Sequence, residues 1–108
     1  MAVLAEIRWA ANPFRGDKFA EGWLPIAEAV LDYGATSWAF YRASEGRLDF
    51  IQHAIFTSKS DFERYWYSQT AAEARTELAG YYQVPLLPIF YEIVGSGTAL
   101  TAPTARPG

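Results

Sequence analysis

From residue 3 the chain alternates. Val3, Ala5, Ile7 and Trp9 fall on one side and Leu4, Glu6 and Arg8 on the other, the two-residue period of a β-strand over 3–10. Asn12-Pro13 ends it, because proline brings no N–H to a ladder. Between Asp17 and Tyr33 the period lengthens: Phe19, Trp23, Ile26, Ala27, Val30 and Tyr33 recur at helical spacing. Gly34 is placed to terminate that helix, and Pro25 is expected to kink it or to start its second part. The β-rich runs SWAFYRA (37–43) and LDFIQHAIFT (48–57) predict two antiparallel strands joined across residues 44–47, with Gly46 available for a positive φ. Ser58-Lys59-Ser60-Asp61 announces a second helix with Phe62, Tyr65, Trp66 and Gln69 on one face. Thr70-Ala71-Ala72-Glu73 reads as a fresh capping box, so the helix is expected to break near Thr70 and run on to Gly80. Pro85 and Pro88 punctuate the next loop, and IFYEIV (89–94) predicts the last strand.

The order strand, helix, strand, strand, helix, strand is two βαβ halves joined by a hairpin. It predicts an α+β, ferredoxin-like βαββαβ domain over 1–95: a four-stranded antiparallel sheet with its helices on one face. The small, polar, proline-containing stretch 96–108 is expected to be a flexible tail.

The hairpin decides which side chains share a face. With Glu45 and Gly46 as a two-residue turn, Arg42 opposes Asp49 as a cross-strand ion pair, Phe40 opposes Ile51 and Trp38 opposes His53. That register groups Trp38, Phe40, Ile51, His53 and Ile55 on one face and Ala39, Tyr41, Phe50, Gln52, Ala54 and Phe56 on the other. Both faces are then apolar, yet the helices cover one of them. A bare patch of several hundred Å2 is more than soluble monomers usually expose. Burying about 400 Å2 of it per subunit would contribute about 10 kcal/mol before the entropic cost of association. A two-fold homodimer packed sheet against sheet is the expected cover.

Composition narrows the chemistry. Four Trp, seven Tyr and seven Phe in 108 residues are more large rings than one small core requires, so some are expected to meet a hydrophobic ligand or a partner. A net charge of −3 without a basic cluster argues against nucleic acid. The absence of cysteine removes thiol chemistry, and a lone histidine with scattered carboxylates offers no metal-ligand spacing. Glu6 and Arg8 interrupt the first apolar stretch before it reaches signal or membrane-span length, so a soluble cytoplasmic protein is expected, without a membrane partner.

Gly34 leading into SWAFYRASEG, the strand FIQHAIF and the following TSKSDFERYWYS resemble the dimeric α/β-barrel proteins of the antibiotic biosynthesis monooxygenase type. The resemblance covers most of the domain in layout and about a third of it in residue pattern. It implies a pocket between sheet and helices in each subunit, used by members for cofactor-independent oxidation of polycyclic aromatics or for haem degradation. The oxygenase-like members carry an Asn on the third strand and a Trp four residues later, where this chain has Gln52 and Phe56. Haem-degrading members ligate iron through a His beyond the start of the second helix, and the corresponding TAAEAR has none, so no cofactor is expected.

Candidate site residues follow. His53 is the proton carrier if it faces a pocket and an interface histidine otherwise, since one His without a carboxylate or serine beside it makes no triad. Arg8 is a candidate for polarising an oxyanion, with pairing to Glu6 the plainer alternative. Tyr41 and Gln52, with Phe56 beside them, are candidates for holding a ligand carbonyl or phenol, and Phe62, Tyr65 and Trp66 for stacking on a flat ring. Tyr81 and Tyr82 are a pocket rim or a packing pair. The reading is a pocket-containing homodimer acting on a hydrophobic aromatic or polyketide-like molecule, by oxygenation or by proton transfer as in a cyclase or isomerase. A non-catalytic ligand-binding or structural dimer is the alternative.

Overall fold

The structure, a computed structural model, describes residues 2–84 and 86–99. The expected break at Pro85 and the tail residues 100–108 lie outside the described residues. Strand β1 (Val3–Ala10) has the predicted limits. Helix α1 (Gly16–Glu28) runs through Pro25 without ending there, and a 3-10 segment (Ala29–Tyr33) completes the apolar stripe. Gly34 closes it at φ 92°, donating its N–H to Val30 O, a left-handed conformation that glycine adopts without a Cβ penalty. Strands β2 (Ala35–Arg42) and β3 (Asp49–Phe56) form the hairpin, and β4 (Ile89–Glu92) is shorter than the sequence suggests.

The second helical region is divided earlier than predicted. Helix α2 (Lys59–Trp66) starts at Ser58, whose hydroxyl accepts from the Asp61 N–H as its sequence implies. Helix α3 (Gln69–Glu77) is capped by Ser68 and not by Thr70: the Ser68 hydroxyl accepts from Ala71 N–H and donates to Tyr65 O. Ser68 can therefore satisfy both sides of the break, which a capping box begun at Thr70 cannot. Gln69 consequently leaves the aromatic face, is exposed, and donates to Glu73.

The strands form one antiparallel sheet in the order β2-β3-β1-β4, as a ferredoxin-like βαββαβ chain requires. Ala5, Ile7, Trp9, Phe50, Gln52, Ala54 and Phe56 point to the helices and are buried against Phe19, Trp23, Ala27, Val30, Phe62 and Tyr65. The two-residue turn is overturned. The observed pairs are Arg42↔Phe50, Phe40↔Gln52, Ala39↔His53 and Trp38↔Ala54, one residue away from the predicted register. Gly46 and Arg47 both adopt positive φ, 76° and 58°, and the loop holds one residue more than assumed. A change of one residue reverses the facing of β2 relative to β3. Trp38 and Phe40 thereby join the helix side, where Phe40 stacks on Phe50 at 5.4 Å, and Tyr41 moves to the open side. The predicted Arg42–Asp49 pair is absent: Arg42 turns to α1 and bonds Asp17 at 2.7 Å.

Candidate functional sites on the two sides of the sheet

The layer between sheet and helices, where the family resemblance implies a pocket, is packed with the chain's own buried side chains. Gln52 is clamped at its centre. The Trp23 indole N–H donates to Gln52 Oε1 (2.8 Å), the Gln52 amide donates to Tyr65 Oη (3.1 Å), and the Tyr65 hydroxyl donates to Ile26 O (2.8 Å). Burial holds the Tyr65 phenol well above its ordinary range, so it stays a neutral donor. Phe56 packs edge-on to Phe62. These groups satisfy one another and leave no free polar atom for a ligand.

The aromatic layer opens at its edge. Between α2 and the chain leading into β4 lies a groove of about 500 Å3, lined by Phe62, Trp66, Tyr67, Leu86, Leu87 and Phe90, with Lys59 and Glu63 at its margin. That volume lies within the usual range for small-molecule sites. Phe62 and Trp66 stack on each other at 5.8 Å and are nearly buried, Phe90 meets Phe62 edge-on at 5.1 Å, and Lys59 Nζ lies 4.9 Å over the Phe90 ring, so the groove has an aromatic floor with a charged margin. Arg75 braces the groove from α3. Its guanidinium lies 4.1 Å over the Trp66 ring and donates to Trp66 O at 2.8 Å, and partial burial lowers its pKa. Sequence reasoning missed Arg75, and its one visible signal was a lone cation on a helix otherwise rich in alanine.

The open side of the sheet carries a polar cluster at its centre, which corrects the expectation of an apolar face. Glu6 is only 7% exposed although no helix covers it. Its carboxylate accepts from Arg8 Nε (3.1 Å) and the Tyr91 hydroxyl (3.0 Å), and lies 2.9 Å from His53 Nε2. The His53 contact, chiefly, holds the Glu6 carboxyl below its usual range, and burial opposes the shift. Glu6 in turn pushes the Tyr91 phenol up. Glu6 and His53 are cross-strand partners, so a carboxylate 47 residues away in sequence is the neighbour that the sequence did not reveal. Tyr41 meets the His53 ring edge-on at 5.7 Å, and a hollow of about 270 Å3 opens beside them over Leu4, Ala39 and Ile55.

The candidate residues therefore separate into two groups with the sheet between them. Arg8, Tyr41 and His53 share the open side; Gln52, Phe56, Phe62, Tyr65 and Trp66 share the helix side. His53 cannot move a proton on a molecule held at the aromatic groove. Tyr41 and Gln52, expected on one pocket face, lie on opposite ones, because of the one-residue change in register. Of the expected ligand-stacking residues, Phe62 and Trp66 reach the groove and Tyr65 remains in the packed layer behind it, as does Phe56, expected beside Tyr41 and Gln52. Tyr81 and Tyr82 are a packing element: Tyr82 is buried edge-on to Trp9 at 5.0 Å. Among the described residues no three His, Asp or Glu side chains gather as a metal site needs.

Solved structures with the same arrangement include an antibiotic biosynthesis monooxygenase candidate of Nitrosomonas europaea, with a TM-score of 0.77 at 11% identity over 86% of this chain and 90% of that one. SnoaB, a cofactor-independent oxygenase from Streptomyces nogalater, matches with a TM-score of 0.74 at 12% identity over 88% and 95%. Rv0793 from Mycobacterium tuberculosis matches at 0.76 and 11% over 91% and 100%. The chain shares their fold. The shared fold spans the whole βαββαβ unit and agrees with the resemblance read from residues 33–70. No family model matches the sequence, and no curated protein matches it. No described helix is long and apolar enough to cross a membrane.

Proposed function

We propose that the protein is a homodimer, joined through the open sides of its sheets, whose subunits each take a flat, hydrophobic, oxygen-bearing molecule in the groove of Phe62, Trp66 and Phe90 and oxygenate it without a cofactor. The observation that carries this reading is the groove itself: an aromatic floor with a charged margin at the edge of a layer whose interior is full. The likeness of fold to SnoaB, described as a cofactor-independent oxygenase, supports the reaction class. The dimer is supported by the open side, where Leu4, Ile51, Ile55 and Ile89 surround Glu6. Three donors already serve that carboxylate within its own chain, so a second sheet would cover it without stranding a charge.

A non-catalytic ligand-binding dimer is the second reading, favoured by one feature: the His53–Glu6 pair lies across the sheet from the groove. Anthrone, a flat tricyclic ketone, separates the two. Tryptophan fluorescence should show saturable binding weakened at least about tenfold by Trp66→Ala, and an oxygen electrode should record uptake above the buffer's own oxidation rate. Binding without oxygen uptake selects the second reading, and no binding removes both. Sedimentation should find dimers at micromolar protein, and Ile55→Glu, which puts a charge into the joined faces, should give folded monomers. Well-folded wild-type monomers would sink the dimer.

A further inference from the structure

The Glu6–His53 pair on the open side of the sheet has no part in the aromatic groove, and its hydrogen bonds fix where its protons sit. The two carboxylate oxygens have separate work: Oε2 accepts from Arg8 and Tyr91, and Oε1 lies 2.9 Å from His53 Nε2. A carboxylate accepts and does not donate, so Nε2 carries the proton of a neutral imidazole and Nδ1 holds the lone pair. Nδ1 bonds nothing among the described residues. It is not buried either, since the one buried side-chain nitrogen or oxygen without a partner is Trp9 Nε1. A lone pair open to the outside, on a ring oriented by a buried carboxylate, is the arrangement of a general base.

His53 is 31% exposed and lines the hollow of about 270 Å3 over Leu4, Ala39 and Ile55. Ala39, its cross-strand partner, leaves that space open because it is small. Tyr41 and Ser37 bring hydroxyls to the same hollow, and the Tyr41 ring stands edge-on to His53. The Tyr41 hydroxyl makes no hydrogen bond among the described residues, so it is available as a donor to an oxygen held beside the base. The volume falls just short of drug-sized sites, which suits a small molecule. β2 is an edge strand, so a second sheet laid on the open side would roof the hollow and leave its β2 margin as the way in.

We infer that Glu6 and His53 form a general acid–base site on the open side of the sheet, separate from the groove, that moves a proton between carbons of a small unsaturated ketone. His53 Nδ1 takes the proton α to the carbonyl, and the C–H electron pair passes into a dienolate whose oxygen accepts from the Tyr41 hydroxyl. Glu6 balances the imidazolium that results. Nδ1 then returns the proton to the γ carbon, and the C=C bond ends in conjugation with the carbonyl. No oxidant, reductant or second substrate is consumed. His53 and Tyr41 are the catalytic residues, and Glu6 is a positioning residue.

The test is the isomerisation of 3-cyclohexen-1-one to 2-cyclohexen-1-one by the full chain, followed by the rise in enone absorbance. Wild-type protein should exceed free imidazole at equal concentration by at least about a hundredfold, and His53→Gln should fall to the imidazole rate or below. Tyr41→Phe should lower kcat by at least about tenfold. Glu6→Gln has a sharper signature. Arg8 and Tyr91 claim the amide oxygen, so the amide N–H2 faces Nε2 and drives the imidazole proton onto Nδ1, which ends its use as a base. kcat should fall at least about tenfold with KM nearly unchanged, and 15N spectra of the His53 ring should show the protonated nitrogen change from Nε2 to Nδ1. Should that variant fail to fold, the wild-type spectrum and His53→Gln still decide. A wild-type rate no better than imidazole, full activity in His53→Gln, or a wild-type proton on Nδ1 each overturns the site. None of these results touches the groove, whose anthrone binding is read separately by tryptophan fluorescence.

Discussion

Gln52→Leu tests whether the centre of the molecule is scaffold or site. The substitution is close in volume and removes one amide. Trp23, with a fully buried ring, then loses the acceptor for its indole N–H, and a stranded buried donor costs about 1–3 kcal/mol. Tyr65 loses the amide that donates to it but keeps its own bond to Ile26 O, a loss of roughly 0.5–1 kcal/mol. Burying leucine in place of an amide returns part of this, about 1 kcal/mol. The net expectation is a destabilisation of about 2 kcal/mol, or a fall in Tm of roughly 8–15 °C for a domain of this size. Thermal and urea unfolding followed by circular dichroism at one fixed protein concentration measures it, the concentration mattering because association would add to apparent stability. A cycle with Trp23→Phe isolates the bond. Its cavity cost cancels in the cycle, and the double variant should be about 1 kcal/mol more stable than the sum of the singles predicts, because no stranded partner remains. A single substitution within about 0.5 kcal/mol of wild type, with additive double-variant behaviour, would refute the view that Gln52 is spent on the fold.

Glu6 makes stability depend on acid. Its folded pKa lies below the ordinary 4.5, so its contribution is fully present above that value and is lost as pH falls through the lower folded one. Urea midpoints should drop between pH 5 and pH 3 more steeply in wild type than in Glu6→Gln, and parallel profiles would remove the cluster from the account. Arg75→Ala removes both the stacking on Trp66 and the bond to Trp66 O, an expected loss of about 1–2 kcal/mol measurable in urea, and Arg75→Lys should recover only part because an ammonium lacks the flat fork. Gly34→Ala should cost about 1–2 kcal/mol, since the residue sits at φ 92° and a Cβ would lie 2.8 Å from Asp61 Oδ2; an unchanged Tm would show that the turn relaxes freely.

The amino-acid pattern alone determined the elements and their order. Alternation gave β1 its limits, the helical period placed α1 and Gly34 the end of the 3-10 segment that continues it, and Ser58 announced α2, because these signals are local and each lies within one turn or one strand of the chain. Element order then restricted the topology to the one observed. Facing was decided elsewhere. Whether Trp38 and Phe40 look toward the helices or away depends on one residue in the 43–48 loop, and two positive φ angles there reverse the hairpin that a two-residue turn would give. Partnership was likewise a tertiary matter. Glu6 and His53, Trp23 and Gln52, and Arg75 and Trp66 stand far apart or unmarked in the chain, and only the packed sheet and helices bring them within hydrogen-bond or stacking distance. Periodicity records how each segment meets a surface; which side chains complete one another across that surface is fixed by register and packing, which no single segment contains.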